Sequence, residues 1–462
     1  MSGVASGFIR ISVTIHPSSP PRLLPNRRVP LPISLLRAAV LAYAATKLPV
    51  HPWARSRTRS VHRRPLRLSR TSRPTPEKPP EPDNACPYPC RPAASVPNVM
   101  IKYLGSKRLL VPKILALVGR ESASAPGGVR SVLDLFSGTA RVGHALKRAG
   151  YQVIANDHNA YAATLARCYI VADAETWSSQ AKTLIRELNG LPGREGFFTE
   201  TYCRKSRFFH PQNGARIDAI REAIASKGLP PELESILLVS LMEAADRVDS
   251  TTGVQMAYLK SWAPRAGGDL ALRLPELLPC APSGKGRAME LDALKAARQT
   301  PADLVYLDPP YNQHAYLSNY HIWETLVRWD HPEVYGTACK RSDCRVRKSL
   351  FNSRPRFADA FRELLRAIRA PLLIVSFSNE GYLSEEEMTG LLMEFSGSTD
   401  GIETIEQDHP RYVGCRIGIY NPKGEKVGRV GHLRNRECLY IVRRSGTPAR
   451  RRTREPTAAC VS

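Results

Sequence analysis

One stretch limits the folds open to this chain more than any other: SVLDLFSGTARVGHALKRAGYQVIAND, from Ser131 to Asp157. Ser131–Phe136 is an apolar run of strand length. Ser137, Gly138 and Thr139 break it. Over 140–149 the apolar residues take helical spacing, with Val142, Ala145, Leu146 and Ala149 on one face, and Gly150 ends the helix. Tyr151–Ala155 is a second strand, closed by Asn156–Asp157. Strand, helix and strand in succession make a βαβ unit, which implies a parallel sheet with a right-handed crossover.

The turn after the first strand carries Gly138, where a ligand can approach the backbone closely. The acid after the second strand, Asp157, can accept hydrogen bonds from a ribose. The pattern is not GxGxxG, and no Lys-Ser/Thr pair follows to hold a phosphate. A nucleoside without a pyrophosphate fits the turn better than a dinucleotide. Further strands are expected at Asp303–Leu307, at Pro371–Ser376, and in RYVGCRIGIY and ECLYIVRR, which read as a terminal pair joined by a Gly/Lys-rich turn. The helix AFRELLRAIRA precedes the third-to-last of these strands. Together they predict a Rossmann-like α/β sheet flanked by helices.

The strand at 303–307 ends in DPPY, Asp308 to Tyr311. Asp and Pro are poor strand residues, so this sequence serves something other than strand stability. In an open α/β sheet, ligands bind beyond the carboxyl ends of the strands, and Asp308 lies at such an end with Gly138 and Asp157. Two prolines stiffen the following backbone and remove two N–H donors while leaving the carbonyls as acceptors. An exocyclic amine on a nucleobase has its lone pair delocalised into the ring. The Asp308 carboxylate and the Pro309 carbonyl could hold both amine hydrogens and turn that lone pair toward an electrophile, with Tyr311 stacked on the base. A base in a duplex reaches such a pocket only by flipping out. A lone DPPY is otherwise a proline-rich turn, a reading that the upstream βαβ unit weakens.

Residues 174–285 break the α/β pattern. Glu232–Val248 has helical apolar spacing, and a shorter helix is expected over Gly214–Ser226 after the turn HPQNG. Aromatic and basic residues interleave in FFTETYCRKSRFFHPQNGAR and MAYLKSWAPR. That mixing suits nucleic-acid contact, with Lys260 and Arg265 as candidate backbone contacts. It equally suits a helical lid whose aromatics are core and whose charges are solvated.

Charge points weakly the same way. Lys+Arg number 67 and Asp+Glu 42, a net of +25. Residues 1–99 hold sixteen Lys/Arg against three Asp/Glu, and the last twenty residues hold six Arg against one Glu. The rest is only mildly basic, so a nucleic-acid partner is suggested rather than demanded. Residues 1–99 are rich in Pro, Arg and Ser with no apolar period, as in a disordered extension or a translation begun at too early a start codon. The apolar run Leu31–Val50 is interrupted by Arg37 and lies too far from the start for a signal peptide. The ten Cys have no zinc-site spacing, which suits reduced thiols in a cytoplasmic protein, and no run is long enough for a membrane span.

Taken in order, the motifs resemble those of the D12 class, alpha group, of adenine-N6 DNA methyltransferases. KYLGSKRLL at 102–110 resembles the motif before the cofactor loop, DLFSGTARVG the loop itself, ANDHN its ribose-binding acid and DPPY the catalytic motif. NQHAYLSNYHIWETL after DPPY resembles the FokI-type branch. The loop departs from the usual pattern at Thr139–Ala140, where a second Gly or a Ser is more common. The resemblance covers roughly Met100–Arg443. It implies a cofactor-binding half at 100–173, a target-recognition insertion at 174–285, a catalytic half at 286–443 and a basic tail at 444–462.

The same resemblance implies S-adenosylmethionine as cofactor, with no metal. Tyr103, Lys107, Asp134, Phe136, Ser137, Gly138, Asp157, Asp292 and Asp308 would line its site, and Asp308, Pro309, Pro310 and Tyr311 would form the catalytic pocket. Implied partners are double-stranded DNA and a cognate restriction endonuclease, with the chain acting as a monomer in a bacterial cytoplasm. The same chemistry on cytosine N4 or on RNA, a non-catalytic DNA-binding relative and a small-molecule methyltransferase are the alternatives.

Overall fold

The structure is a computed structural model. It describes residues 100–313, 315–410, 419–420, 426–428 and 434–445. The expected disordered extension at 1–99 and the basic tail beyond 445 lie outside these residues. In chain order the elements are α1 (Val111–Ser124), β1 (Ser131–Asp134), α2 (Arg141–Arg148), β2 (Gln152–Asp157), α3 (Ala160–Ala166) and α4 (Ala174–Asn189). Then follow the one-turn α5 (Phe197–Thr199), α6 (Pro211–Ser226), α7 (Pro231–Arg247), β3 (Arg287–Glu290), α8 (Ala293–Gln299) and β4 (Leu304–Leu307). The last stretch holds α9 (Tyr316–Asn319), α10 (His321–Arg328), the short pair β5 (Val334–Tyr335) and β6 (Lys340–Arg341), α11 (Arg354–Ala367), β7 (Leu372–Ser378) and α12 (Glu385–Ser396). It closes with β8 (Ile402–Pro410), β9 (Ile419–Tyr420), β10 (Lys426–Gly428) and β11 (Arg434–Arg443).

Seven strands form the main sheet in the order β3-β2-β1-β4-β7-β11-β8. The first five are parallel, and β11 runs antiparallel between β7 and β8. This is the expected Rossmann-like α/β architecture. Alternation along each strand feeds two cores, because successive side chains point to opposite faces. Val132, Val153, Leu304, Tyr306, Ile374, Leu439 and Ile441 pack with α1, α2, α3, α7 and α10. Leu133, Ile154, Val305, Leu307, Leu373, Val375 and Val442 pack with α8, α11 and α12. The helices at 174–247 share the first of these cores, so this region is built onto the sheet rather than apart from it.

Three local expectations are corrected. ECLYIVRR pairs within the main sheet with Ile402–Pro410 and not with RYVGCRIGIY, of which residues 411–418 lie outside the described ones. Ile419–Tyr420 pairs instead with Lys426–Gly428. Secondly, β7 runs on through Phe377–Ser378, because Cys438 and Glu437 continue its ladder. Thirdly, α6 starts at Pro211, so HPQNG is a helix start and not a turn. Proline at the first helical position has no N–H to waste there and its fixed φ suits the helix.

Gly214 inside α6 is required by packing. A Cβ there would overlap Cys203 Sγ and come within 3.1 Å of Thr199 Oγ1. Gly390 in α12 has nothing within 4 Å of such a Cβ. Gly214→Ala is expected to destabilise by about 1–3 kcal/mol through overpacking. Gly390→Ala should stabilise by up to about 1 kcal/mol through helix propensity and lost unfolded-state freedom. Thermal melts of the two variants against the parent check this, the melting temperature falling for the first and rising or holding for the second.

Candidate active site

The order β3-β2-β1-β4 reverses direction of travel between β1 and β4, and a crevice opens there beyond the strand ends. Asp134 is the last residue of β1, Asp157 the last of β2, and Asp308 follows Leu307 at the end of β4. Three carboxylates thus converge from three separate strands. A cleft enclosing about 620 Å³ of space, part of it open solvent, lies over them.

The loop after β1 is held by backbone bonds to the neighbouring strands. Leu135 N–H donates to Tyr306 O at 3.2 Å and Ser137 N–H to Asn156 O at 2.9 Å. Gly138 N–H donates to Asp157 Oδ2 at 3.1 Å. Asp157 Oδ1 accepts from Asn159 N–H at 3.0 Å and from Asn159 Nδ2 at 3.1 Å. One carboxylate therefore ties the two strand-end loops together. Gly138 has φ +52°, and a Cβ there would meet the Tyr103 ring at 3.3 Å. Ala140, where the usual pattern has a more permissive residue, takes the left-handed region at φ 61°. The loop keeps that backbone turn at a local cost of about 1 kcal/mol.

Tyr103 is the floor of the cleft next to this loop. Its ring forms a nearly parallel cluster with those of Tyr316, 5.1 Å away, and Tyr320 at 4.6 Å, which lie 6.5 Å from each other. Its hydroxyl meets Tyr161 Oη at 3.2 Å. Tyr320 accepts from Leu104 N–H at 2.6 Å. The segment after DPPY thereby clamps the KYLGSK segment from more than two hundred residues away.

Lys107 is the cation of the site. Its ammonium lies 3.0 Å from Asp308 Oδ1 and 2.6 Å from Glu437 Oε1, with 8% of the side chain exposed. Burial works against the charge of Lys107, but Asp308 and Glu437 outweigh it, and its pKa is driven well above the usual lysine value. Asp308 is pushed up to about 6, raised by burial and held back by Lys107. Asp134 goes further, to about 8, through burial first and then the nearby charges of Asp308 and Asp157. Tyr311 is raised by burial and lies edge-on to Phe377 with ring centroids 6.0 Å apart.

Of the expected residues, the structure brings Tyr103, Lys107, Asp134, Phe136, Ser137, Gly138, Asp157, Asp308 and Pro310 to the lining of one cleft. Pro309 and Tyr311 adjoin it in the chain and are not in the lining. Asp292 is not brought in either. Its carboxylate caps α8, accepting from Leu294 N–H at 2.9 Å and Lys295 N–H at 3.4 Å, as short acids do at orphan helix donors. Arg265 is committed to Asp249 at 2.7 Å, whereas Lys260 is exposed. Sequence reasoning missed Thr139, Arg141, His158, Asn159, Tyr306 and Tyr316 in the lining, and Glu437 behind Lys107. Asn159 had a local signal, as the last residue of a strand-end NDHN cluster; Glu437 had none.

The donor set suits a cationic nucleoside ligand. Asp134, Asp157 and Asp308 line the cleft with Lys107 and Arg141, and Lys107 is already shared between Asp308 and Glu437, so the carboxylates outnumber the cations. Buried Asn159 Oδ1 makes no hydrogen bond among the described residues, and Asp134 Oδ2 and Ser137 Oγ make none of full geometry beyond their contact with each other. Such atoms cost free energy unless a ligand or water satisfies them.

The family model for D12 class N6 adenine-specific DNA methyltransferases matches residues 103–387. The modification methylase StsI of Streptococcus sanguinis is 32% identical over 321 residues, 66% of this chain and 48% of that protein. The type II methyltransferase M.FokI of Planomicrobium okeanokoites is 32% identical over 309 residues, covering 63% and 46%. M.NlaIII of Neisseria lactamica, a type II methyltransferase, is 32% identical over 279 residues, covering 59% and 81%. The chain thus spans about half the length of the first two.

Asp134 gives a pH test of this geometry. In the folded chain it holds a proton up to about pH 8, but in the unfolded chain only to about 4. Its contribution to stability is therefore full below pH 4 and is lost as pH rises through 8. Between pH 5 and 8.5 the ligand-free protein is expected to lose stability on the order of a few kcal/mol from this group. Asp134→Asn should flatten that fall in melts across the range; an unchanged slope would show that the carboxylate is ionised throughout.

Proposed function

We propose that this chain, which belongs to the D12 class of N6 adenine-specific DNA methyltransferases, transfers a methyl group from S-adenosylmethionine to the N6 amine of an adenine flipped out of DNA. The observation that carries this is the seat of Asp308. It ends a central strand, one oxygen is taken by Lys107, and it faces the cleft shared with Asp134 and Asp157. The family and the relatives named above support the same reading.

The residues fit the cofactor. Asp157 would hold ribose hydroxyls, releasing part of its hold on Asn159 and Gly138. Asp134, Ser137 and the Gly138 backbone would take the amino-acid end, and the excess negative charge suits a ligand with an ammonium and a sulfonium. When bound, S-adenosylmethionine supplies the methyl group in electrophilic form. Everything else falls to the chain. Asp308 Oδ2 and the Pro309 carbonyl accept the two amine hydrogens and orient the lone pair. Tyr311 stacks on the base, and the trans-facing Lys107 keeps Asp308 ionised at neutral pH. Rate then comes from positioning and oriented acceptors rather than from a covalent intermediate.

Residues 174–285 are the proposed target-recognition insertion, between a cofactor half at 100–173 and a catalytic half at 286–443. Trp262 is partly exposed with the Arg207 guanidinium 4.7 Å from its ring, and Lys260 is exposed two residues before it, its carbonyl accepting from Arg207. A basic–aromatic surface of this kind suits a flipped or distorted duplex. Among the described residues no helix is long and apolar enough to cross a membrane. The setting proposed is a bacterial cytoplasm, on double-stranded DNA, as a site-specific modification enzyme with a cognate endonuclease as partner.

The test uses the full chain and an Asp308→Asn control, each incubated with labelled S-adenosylmethionine and unmethylated genomic DNA. Digestion should yield N6-methyladenine from the parent, and the variant should lose methyl transfer by at least about a hundredfold while still binding the cofactor. N4-methylcytosine would keep the mechanism and change the base. Label on RNA alone would move the activity to RNA, and cofactor binding with no labelled nucleic acid would overturn the reading.

A further inference from the structure

The family match ends at residue 387, yet the cation of the cleft is held most closely by a residue fifty positions later. Glu437 lies in the first half of β11. That strand is antiparallel to β7, so its beginning meets the edge where β4 and β7 end. The register aligns Leu307 with Val375, which puts Asp308 beside Ser376, and Ser376 opposite Leu439, two residues from Glu437. Asp308, Ser376 and Glu437 therefore form a row across three neighbouring strands. By strand alternation they share the face on which Ile374 and Leu439 pack. Lys107 reaches this row from the segment before α1. Its ammonium spans Asp308 at 3.0 Å and Glu437 at 2.6 Å, and Ser376 Oγ donates to the same Glu437 oxygen at 2.7 Å. Glu437 is 3% exposed, so this is a built contact and not a surface ion pair.

We propose that Glu437 is a positioning residue for the reaction at Asp308: it draws the Lys107 ammonium toward β11, so that Asp308 gives up only one oxygen to the lysine and keeps the other free for the target amine. This rests on the proposed methyl transfer for its consequence, though the charge sharing itself does not. The physical reasoning is a competition. One ammonium between two carboxylates cannot neutralise both. With Glu437 present, the lysine is shared, and Asp308 retains basicity and acceptor strength. With Glu437 neutral, the lysine belongs to Asp308 alone, and the carboxylate becomes more acidic and a poorer acceptor.

The groups around Asp308 give the sign. Lys107 stabilises its ionised form; Glu437 opposes it, and burial opposes it more. Asp134 lies near enough to be raised by Asp308, and Tyr306 and Tyr316 feel its charge likewise. Tyr311 responds to Lys107, Glu437 and Asp308 together. Of these only Glu437 is a carboxylate that shares the lysine directly.

The experiment follows Asp308 in the full chain without cofactor, by carboxyl-carbon NMR of labelled aspartate, the signal being assigned with Asp308→Asn. Glu437→Gln keeps the shape and the hydrogen bonds and removes the charge. It is expected to lower the Asp308 titration midpoint from near 6, and in the active enzyme to move the acid limb of the kcat profile down with it. Its kcat should fall about tenfold, the scale of one charged hydrogen bond, with KM for the cofactor changed less than threefold. Glu437→Asp keeps the charge and shortens the reach; it should leave the midpoint near the parent's while kcat falls. An unmoved midpoint and acid limb in a folded Glu437→Gln protein would overturn the proposal even if DNA methylation is confirmed. A moved midpoint in a protein whose parent form methylates nothing would uphold the charge sharing and fell the proposed function instead.

Discussion

A lysine ammonium buried beside the strand-end carboxylate of Asp308 governs the rest of this site. Removing an ammonium from water costs several kcal/mol unless it is closely paired. Lys107 meets that requirement twice, through Asp308 and Glu437, and the price is an excess of carboxylates around one cation. Burial, with the neighbouring carboxylates adding to it, pushes Asp134 up to about 8, and burial held back by Lys107 puts Asp308 at about 6. A cationic ligand would also partner the buried oxygens of Asp134 and Ser137. The raised carboxylates of the cleft and the proposed fit to a positively charged nucleoside are thus two expressions of one arrangement.

Sheet order creates that arrangement. No two of Asp134, Asp308 and Glu437 lie close in sequence, and only the arrangement β2-β1-β4-β7-β11 sets them along one edge. A fully parallel sheet would put the first half of β11 at the opposite edge, and Glu437 with it. The antiparallel strand is therefore part of the site and not merely a cover for the sheet. Tyr103 does the corresponding work on the other side of the cleft. Stacked with Tyr316 and Tyr320, it ties the segment before the first helix to the segment after DPPY, so that Lys107 arrives over Asp308 with its backbone fixed.

What was legible in the chain follows from the range of each interaction. β1, α2 and β2 could be read because their apolar periods are local, and Asp157 and Asp308 because strand-end acids have a position relative to a strand; Asp134, inside the run read as a strand, came only from the family resemblance. β8 was not legible: Glu403, Thr404, Glu406 and Gln407 give it the polar character of a sheet edge, which no apolar run betrays. Asp292 was misplaced for the opposite reason, since an acid at a strand end and an acid at a helix start look alike in sequence. Tyr316 was visible within a motif, but its stacking on Tyr103 depends on how two distant segments pack. Glu437 could not be found, because a Glu at the start of ECLYIVRR carries no sign of which lysine it will face.

Most of the chain's +25 lies in residues 1–99 and in the last twenty, so the rest is only mildly basic, while the cleft gathers Asp134, Asp157 and Asp308 with Lys107 and Arg141. Screening confines each charge to about 8 Å in physiological salt, so outer cations and inner anions act on different parts of a substrate. Exposed Lys260, Arg345 and Lys348 meet solvent, where a polyanion is attracted by its phosphates whatever its sequence. The same phosphates would be repelled by the carboxylates at the strand ends. Only a neutral base and a cationic cofactor can enter there without electrostatic penalty. For the proposed methyl transfer, the carboxylates at the strand ends would favour an extruded base over a phosphate as the group that reaches Asp308.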